Sequence, residues 1–208
     1  IPVLEKESYR DDPKSFLAED VSPRLLIESK TSGTTGTALP LWYTPEALAE
    51  EYAAVWRLHR RNGLAIRDPF FSFGGQSIVP LAQTRPPYWR RSLWRGQTLF
   101  SLYHMSEAFL PDYIDAVHSI PAKYAQGYPS SFYLLGRAML DAGRPLPKGK
   151  LDVVLTSSES LLAYQREVIE EAFNAPVRDR YGTSEFVVSM TGCVEGNMHL
   201  DMEFGIVE

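Results

Sequence analysis

Cysteine is almost absent from this chain: Cys193 is the only one in 208 residues. No internal disulfide can form, and the composition points to a reducing compartment such as the cytoplasm. There is also no surplus of positive charge, since 21 Lys and Arg face 26 Asp and Glu and no long like-charged block occurs. That balance argues against a nucleic-acid binder relying on a basic surface. No apolar run approaches the roughly 20 residues that cross a bilayer, so no membrane partner is expected. The opening Ile1-Pro2-Val3-Leu4-Glu5-Lys6 lacks both an initiator methionine and the pattern of a signal peptide. Internal repeats and low-complexity stretches are missing as well.

Hydrophobic residues are plentiful at 44%, and that excludes intrinsic disorder. The length suits one large domain or two small ones with a real core. The last residues, Glu203-Phe204-Gly205-Ile206-Val207-Glu208, read as a strand whose edge would need a partner. The chain is therefore expected to be a piece of a longer protein.

Along the chain, Pro2, Pro13 and Pro23 break up the first 28 residues. A helix over 45–62 is well punctuated, with Thr44 as N-cap, Pro45 in the first turn and Gly63 as the stop. Leu48, Tyr52, Val55, Trp56 and His59 recur at helical spacing, which predicts one buried face. Short strands and loops are expected over 64–100, including Phe70-Phe71-Ser72-Phe73 before Gly74-Gly75. Helices are expected over 106–118, 129–142 and 161–173, a buried strand over 151–155 and a short one near Val177. Strand, helix and strand in that order make a βαβ-like unit. The expected class is α/β, with a mixed or parallel sheet flanked by helices.

Three segments could carry chemistry. Residues 29–37 hold six Ser or Thr and two Gly in nine positions, too many hydroxyls to bury without partners. Such a loop can fold its N–H groups and hydroxyls around a polyphosphate, or can serve as a solvated linker. It is not a Walker A loop, because no Gly-Lys-Ser/Thr closes it. Tyr181-Gly182-Thr183-Ser184-Glu185 follows a strand-like segment, where ligands of open α/β sheets usually bind. Its residues suit base stacking, close approach, phosphate contact and Mg²⁺ ligation, or simply an ordinary turn. Thr156-Ser157-Ser158-Glu159-Ser160 follows another strand and can be read as a helix N-cap.

In this order the three segments resemble the adenylate-forming superfamily, most closely the branch of phenylacetate–CoA ligases, capsule-biosynthesis proteins and coenzyme F390 synthetase-like proteins. Thr31-Ser32-Gly33-Thr34-Thr35-Gly36-Thr37 is similar to the family's loop for the ATP β,γ-phosphates. Ser157-Ser158-Glu159 resembles its adenine-side motif, and Tyr181-Gly182-Thr183-Ser184-Glu185 its Tyr-Gly-x-Thr/Ser-Glu motif. The similarity extends through Gly127-Tyr128-Pro129-Ser130 and the stretch from Cys193 to His199, so it spans essentially the whole chain.

The resemblance implies that Ser32, Gly33, Thr34, Thr35 and Gly36 hold pyrophosphate. It implies further that Ser158 and Glu159 line the adenine pocket, that Tyr181 and Gly182 receive the base, that Ser184 touches the α-phosphate, and that Glu185 ligates Mg²⁺. The implied cofactors are ATP and Mg²⁺, with coenzyme A as co-substrate and a small carboxylic acid, aryl or arylacetic, as substrate. The implied reaction is formation of an acyl-adenylate followed by transfer to a thiol. The alternatives are an inactive nucleotide-binding or interaction module, and an adenylating ligase that forms an amide or acyl-protein.

Ala38 and Leu39 stand where the superfamily often has Pro-Lys. Nothing matches the downstream ribose-binding Asp, the hinge or the C-terminal lid domain. By this resemblance residues 1–208 correspond to part of the large N-terminal adenylation domain, and alone should adenylate poorly. His104 and Tyr128 are weaker candidates for the acid pocket. Cys193 and His199 have metal-ligand chemistry but make at most half a zinc site.

Overall fold

The computed structural model describes residues 4–31, 38–92 and 94–205. The chain starts with a short helix, α1 (Lys6–Asp11), and an antiparallel pair, β1 (Ile27–Lys30) and β2 (Pro40–Tyr43). Helix α2 (Pro45–Arg61) follows. Thr44 caps it by accepting the Ala47 N–H at 3.1 Å, and Pro45 sits in the first turn, where its missing N–H costs nothing.

The rest of the chain builds an eight-stranded sheet. Its strands are β3 (Phe70–Phe73), β4 (Trp89–Ser92), β5 (Gln97–Phe100), β6 (Tyr124–Gly127), β7 (Val153–Ser157), β8 (Val177–Gly182), β9 (Ser189–Gly192) and β10 (Met198–Leu200). The spatial order is β10-β9-β8-β7-β6-β3-β5-β4. The five central strands from β8 to β5 run parallel, and the outer strands β4, β9 and β10 pair antiparallel. The expected α/β class with a mixed sheet is borne out.

Alternate strand residues point to opposite faces, and the two faces differ. Phe71, Phe73, Phe100, Ala125, Val154 and Val177 point to one side. There they form the main core with α3 (Leu110–Ser119), α4 (Pro129–Asp141) and α5 (Ala163–Phe173). Phe73 and Phe100 stack with ring centroids 4.6 Å apart, and Phe132 of α4 reaches Phe73 at 5.0 Å. The opposite face carries a smaller cluster in which Leu58 of α2 and Leu64 pack on Tyr124, Val153 and Leu155. One helix cannot cover eight strands, so part of this face stays open.

Several expectations are adjusted. Helix α3 starts at Leu110, because residues 106–109 form a turn whose Ser106 carbonyl accepts the N–H groups of both Phe109 and Leu110. The strand after Pro147 is displaced to Val153–Ser157. The serines of 156–160 do not cap α5: it begins at Ala163, and the Gln165 side chain accepts the Leu162 N–H at 3.0 Å. Residues 202–204 form a turn, not a strand, closed by the Phe204 N–H on the Asp201 carbonyl at 3.1 Å. The stripe on α2 is corrected too. Of the expected face His59 is buried and Leu48, Val55 and Trp56 are half-buried, but Tyr52 is 59% exposed and the other buried positions are Ala54 and Leu58, so the helix is rotated relative to the predicted face.

Candidate active site at the carboxyl edge of the sheet

Four loops leave the carboxyl ends of neighbouring parallel strands: 74–76 after β3, 128 after β6, 158–160 after β7 and 183–186 after β8. This edge is where open α/β sheets bind ligands. Two non-glycine residues adopt left-handed backbone here, Ser158 at φ 70° and Phe186 at φ 56°. Such conformations cost free energy and cluster at functional sites.

Tyr181, Ser184 and Glu185 are all exposed at this edge, so their side chains are accessible to a ligand. The Tyr43 hydroxyl of β2 donates to the Ser184 carbonyl, and its ring stacks on Phe186 at 4.4 Å. The β1–β2 pair is therefore docked on the 181–186 loop. Residues 32–37, with the candidates Ser32, Gly33, Thr34, Thr35 and Gly36, lie outside the described residues. The described residues on either side of that segment pair with each other. The Thr31 N–H donates to the Leu39 carbonyl at 2.9 Å, and the Leu39 N–H donates back to the Thr31 hydroxyl at 2.9 Å. Burial raises the Tyr43 hydroxyl above its ordinary pKa, and the Glu185 charge adds to the shift. The same two causes act on Tyr9, whose hydroxyl donates to the Pro40 carbonyl at 2.6 Å. Both phenols thus stay neutral donors beside the carboxylate.

A buried network supports the 181–186 loop from beneath. Arg180 donates through Nη2 to both carboxylate oxygens of Glu51 at 2.8 and 2.9 Å. The two side chains are only 14% and 13% exposed. A Cβ at Gly182 would lie 3.3 Å from the Arg180 guanidinium, so glycine leaves room for this pair. The Thr156 hydroxyl bonds Asp179 at 2.6 Å across β7 and β8. Nothing in the residue order of β8 marks Arg180 as the partner of Glu51, 129 positions away.

Glu159 accepts the Ser130 N–H at 3.1 Å through its carboxylate. It therefore binds the positive end of α4 and ties the 158–160 loop to the turn at Tyr128. Gly127 is obligatory in that turn, since a Cβ there would lie 2.2 Å from the Phe73 carbonyl oxygen. Tyr128 lines a pocket of about 370 Å³ together with Ser72, Gly74, Gly75, Leu99 and Phe100. A Cβ on Gly75 would meet the Tyr128 hydroxyl at 3.0 Å. His104 is buried behind this region. Its Nδ1 is 2.8 Å from the Ser101 hydroxyl, its ring stacks on Tyr88 at 5.2 Å, and its Nε2 has no partner among the described residues.

Cys193 and His199 meet across the β9–β10 turn, closed by the Cys193 N–H on the Asn197 carbonyl at 2.9 Å. Hydrogen bonding from His199 holds the thiol below its ordinary pKa. Among the described residues no group of three or more His, Cys, Asp or Glu gathers. This pair therefore offers two ligands of the four a structural zinc site needs.

Comparison with known proteins agrees with this architecture. No family model matches the chain. Protein CapK of Staphylococcus aureus is 25% identical over 208 residues, which is all of this chain and 46% of that protein. A 2-hydroxyisobutyryl-CoA ligase, solved in an open conformation with 2-HIB-AMP and CoA, superposes with a TM-score of 0.62 at 16% identity. That match covers 96% of this chain and 47% of the ligase. ATP-bound MatB of Rhodopseudomonas palustris gives 0.52 at 17% identity, over 82% of this chain and 31% of MatB. The chain thus spans about half the length of the curated relative it matches. Its fold is that of an adenylate-forming domain, and the resemblance to the adenylate-forming superfamily and its capsule-biosynthesis branch is borne out.

Proposed function

We propose that this chain is part of the large N-terminal domain of an enzyme that activates a carboxylic acid with ATP. A carboxylate oxygen attacks the α-phosphorus and pyrophosphate leaves, giving an acyl-adenylate. A thiol, with coenzyme A as the first choice, then attacks the acyl carbon and AMP leaves. The observation that carries this reading is the docking of Tyr43 on Ser184 and Phe186, which sets β2 against the 181–186 loop. The solved structures of similar fold hold 2-HIB-AMP with CoA, or ATP, and so support the same chemistry.

In this reading the hydroxyls and N–H groups of Ser32, Gly33, Thr34, Thr35 and Gly36 bind the departing phosphates. Tyr181 stacks on the adenine beside Gly182, Ser158 and Glu159 border it, and Ser184 contacts the α-phosphate. Fixed donors of this kind act on charge that grows during the displacement. The Glu185 carboxylate makes no ion pair among the described residues and is a hard oxygen donor suited to Mg²⁺. When bound, that ion would neutralise phosphate charge. The pocket lined by Gly74, Gly75 and Tyr128 has room for an aryl ring, in keeping with an aryl or arylacetic acid. A cytoplasmic setting follows from cysteine usage, and no helix among the described residues is long and apolar enough to cross a membrane.

The test is acid-dependent ATP–pyrophosphate exchange by the full-length protein, across aryl, arylacetic, fatty and amino acids, with Glu185→Ala as control. Exchange with one acid class, lost in the control, is the expected result. Silence from a folded protein that still binds ATP would overturn the reading in favour of a non-catalytic module. Acyl-CoA formed only when CoA is supplied would identify the thiol step.

A further inference from the structure

The open part of the sheet face is a second cavity. It measures about 750 Å³, twice the pocket at the carboxyl edge, and the two share Gln97 and Gln126 as a common wall. The shared residues sit in the register that alternation dictates. Phe70, Gln97, Tyr124 and Gln126 point to the face opposite the main core, and so do Ser72 and Leu99 of the smaller pocket. The two spaces are therefore successive stretches of one groove. It runs along the strands from the candidate site towards their amino ends, over about 13 Å for four residues of strand rise.

The groove changes character along its length. At the carboxyl edge it is smaller and mixed, with Gly74, Gly75, Leu99 and Tyr128 beside the polar Gln76 and Gln126. Further on it is walled by aromatic rings: Tyr52 and Trp56 of α2, Phe70, Tyr124 and Trp94. Phe70 and Tyr124 stack at 4.9 Å with planes 9° apart, which gives a flat floor. Arg67 and Arg95 stand at the far end, both exposed and neither in an ion pair among the described residues. Among the described residues no Asp or Glu lines either stretch. The nearby Asp68 is already engaged with Lys123 at 2.8 Å.

The position of α2 explains why this space exists. Arg57 is bonded to Asp201 at 2.6 Å, Arg61 to Thr191 at 3.3 Å and Glu51 to Arg180 at 2.8 Å. These contacts tie one side of the helix to β8 and β9 while Leu58 packs on β6 and β7, so β3 and β5 are left uncovered by it. Its apolar stripe of Tyr52, Val55 and Trp56 is thereby left as a cavity wall.

We infer that this groove is the specificity site for the acid, and that it selects extended aryl acids carrying a second anionic group at the end remote from the activated carboxylate. The inference rests on the adenylation reading above, which puts the reacting carboxylate at the carboxyl edge. A rigid aryl spacer matches the flat aromatic walls. A distal carboxylate, sulfonate or phosphate matches two arginines with no competing acid, with bidentate pairing available to each.

The full-length protein can be tested with three probes: phenylacetic acid, 4-biphenylacetic acid and 4′-carboxy-4-biphenylacetic acid. KM is read by ATP–pyrophosphate exchange, and binding of each acid by calorimetry. The diacid is expected to bind fivefold or more tightly than biphenylacetate. That ratio should fall below twofold in Arg67→Ala/Arg95→Ala and return in Arg67→Lys/Arg95→Lys. Both arginines are exposed, so the variants should fold. Equal affinity for the two biaryl acids, or a preference that survives loss of both arginines, would overturn the inference. If exchange is silent with every acid while calorimetry still shows the arginine-dependent preference, the adenylation reading fails and the groove assignment stands. Exchange with phenylacetate but no preference for the diacid is the converse.

Discussion

Tyr43, at the end of β2, donates its hydroxyl to the backbone carbonyl of Ser184, 141 residues later, and stacks its ring on Phe186 at 4.4 Å. One buried side chain thus couples β2, which follows residues 32–37 in sequence, to the loop after β8. Tyr43→Phe keeps the stacking and removes one hydrogen bond, a loss of about 1 kcal/mol. If the two loops bind one nucleotide, ATP affinity should fall about fivefold with little change in Tm. Tyr43→Ala should lose more of both. Titration with ATP and thermal melting separate the effects, and unchanged affinity in Tyr43→Phe would uncouple the loops from nucleotide binding.

Much of this edge was legible in the sequence because it is built from local punctuation. Thr44-Pro45 and Gly63 marked α2 to within a residue, and Pro129 with Gly143 marked α4. The run 151–155 marked a central strand that lies two residues later, at Val153–Ser157, and Phe70–Phe73 marked another. What the sequence hid depends on long-range packing. Strands such as Tyr124–Gly127 are too short and mixed to show a period, and they form because a parallel neighbour lies on each side. The stripe Tyr52, Val55, Trp56 has the spacing of a core face. The ion pairs of Glu51 and Arg57, the Arg61 hydrogen bond to Thr191 and the packing of Leu58, all with distant residues, accompany the observed rotation of α2.

Two glycines near the pocket beside Tyr128 should respond differently to alanine. At Gly127 the new methyl would lie 2.2 Å from the backbone oxygen of Phe73, and neither strand can yield without losing its pairing. Gly127→Ala is expected to destabilise by about 3 kcal/mol or more. At Gly75 the contact is 3.0 Å from the tip of the Tyr128 side chain, which can rotate away. Gly75→Ala should leave Tm nearly unchanged and alter KM for the acid, not for ATP. Urea denaturation and exchange kinetics provide the check.

The Arg180–Glu51 pair is mostly buried, so its removal should be asymmetric. Arg180→Ala or Glu51→Ala alone leaves an uncompensated charge and should cost about 3–5 kcal/mol. Glu51→Leu combined with Arg180→Met removes both charges and should cost clearly less than the sum of the single changes. A double-mutant cycle by urea denaturation measures the coupling. Additive single effects would show that the two charges do not support each other.

Cys193 is partly exposed, and its thiol is held below its ordinary pKa, first by the hydrogen bond from His199 and also by the backbone N–H groups of Glu195 and Asn197. A lowered pKa increases the thiolate fraction at neutral pH, and the thiolate is the nucleophile. Alkylation by iodoacetamide should therefore reach half its plateau rate at a lower pH than an ordinary cysteine, whose pKa is about 8.5. His199→Ala removes the largest cause, so the midpoint should move up towards that value and the rate at pH 7 should fall. Adding Zn²⁺ in modest excess tests the same pair as ligands. If it protects Cys193 in the wild-type protein but not in His199→Ala, the full-length protein supplies the remaining donors. Alkylation with an ordinary midpoint in both forms would show that His199 does not bond the thiol.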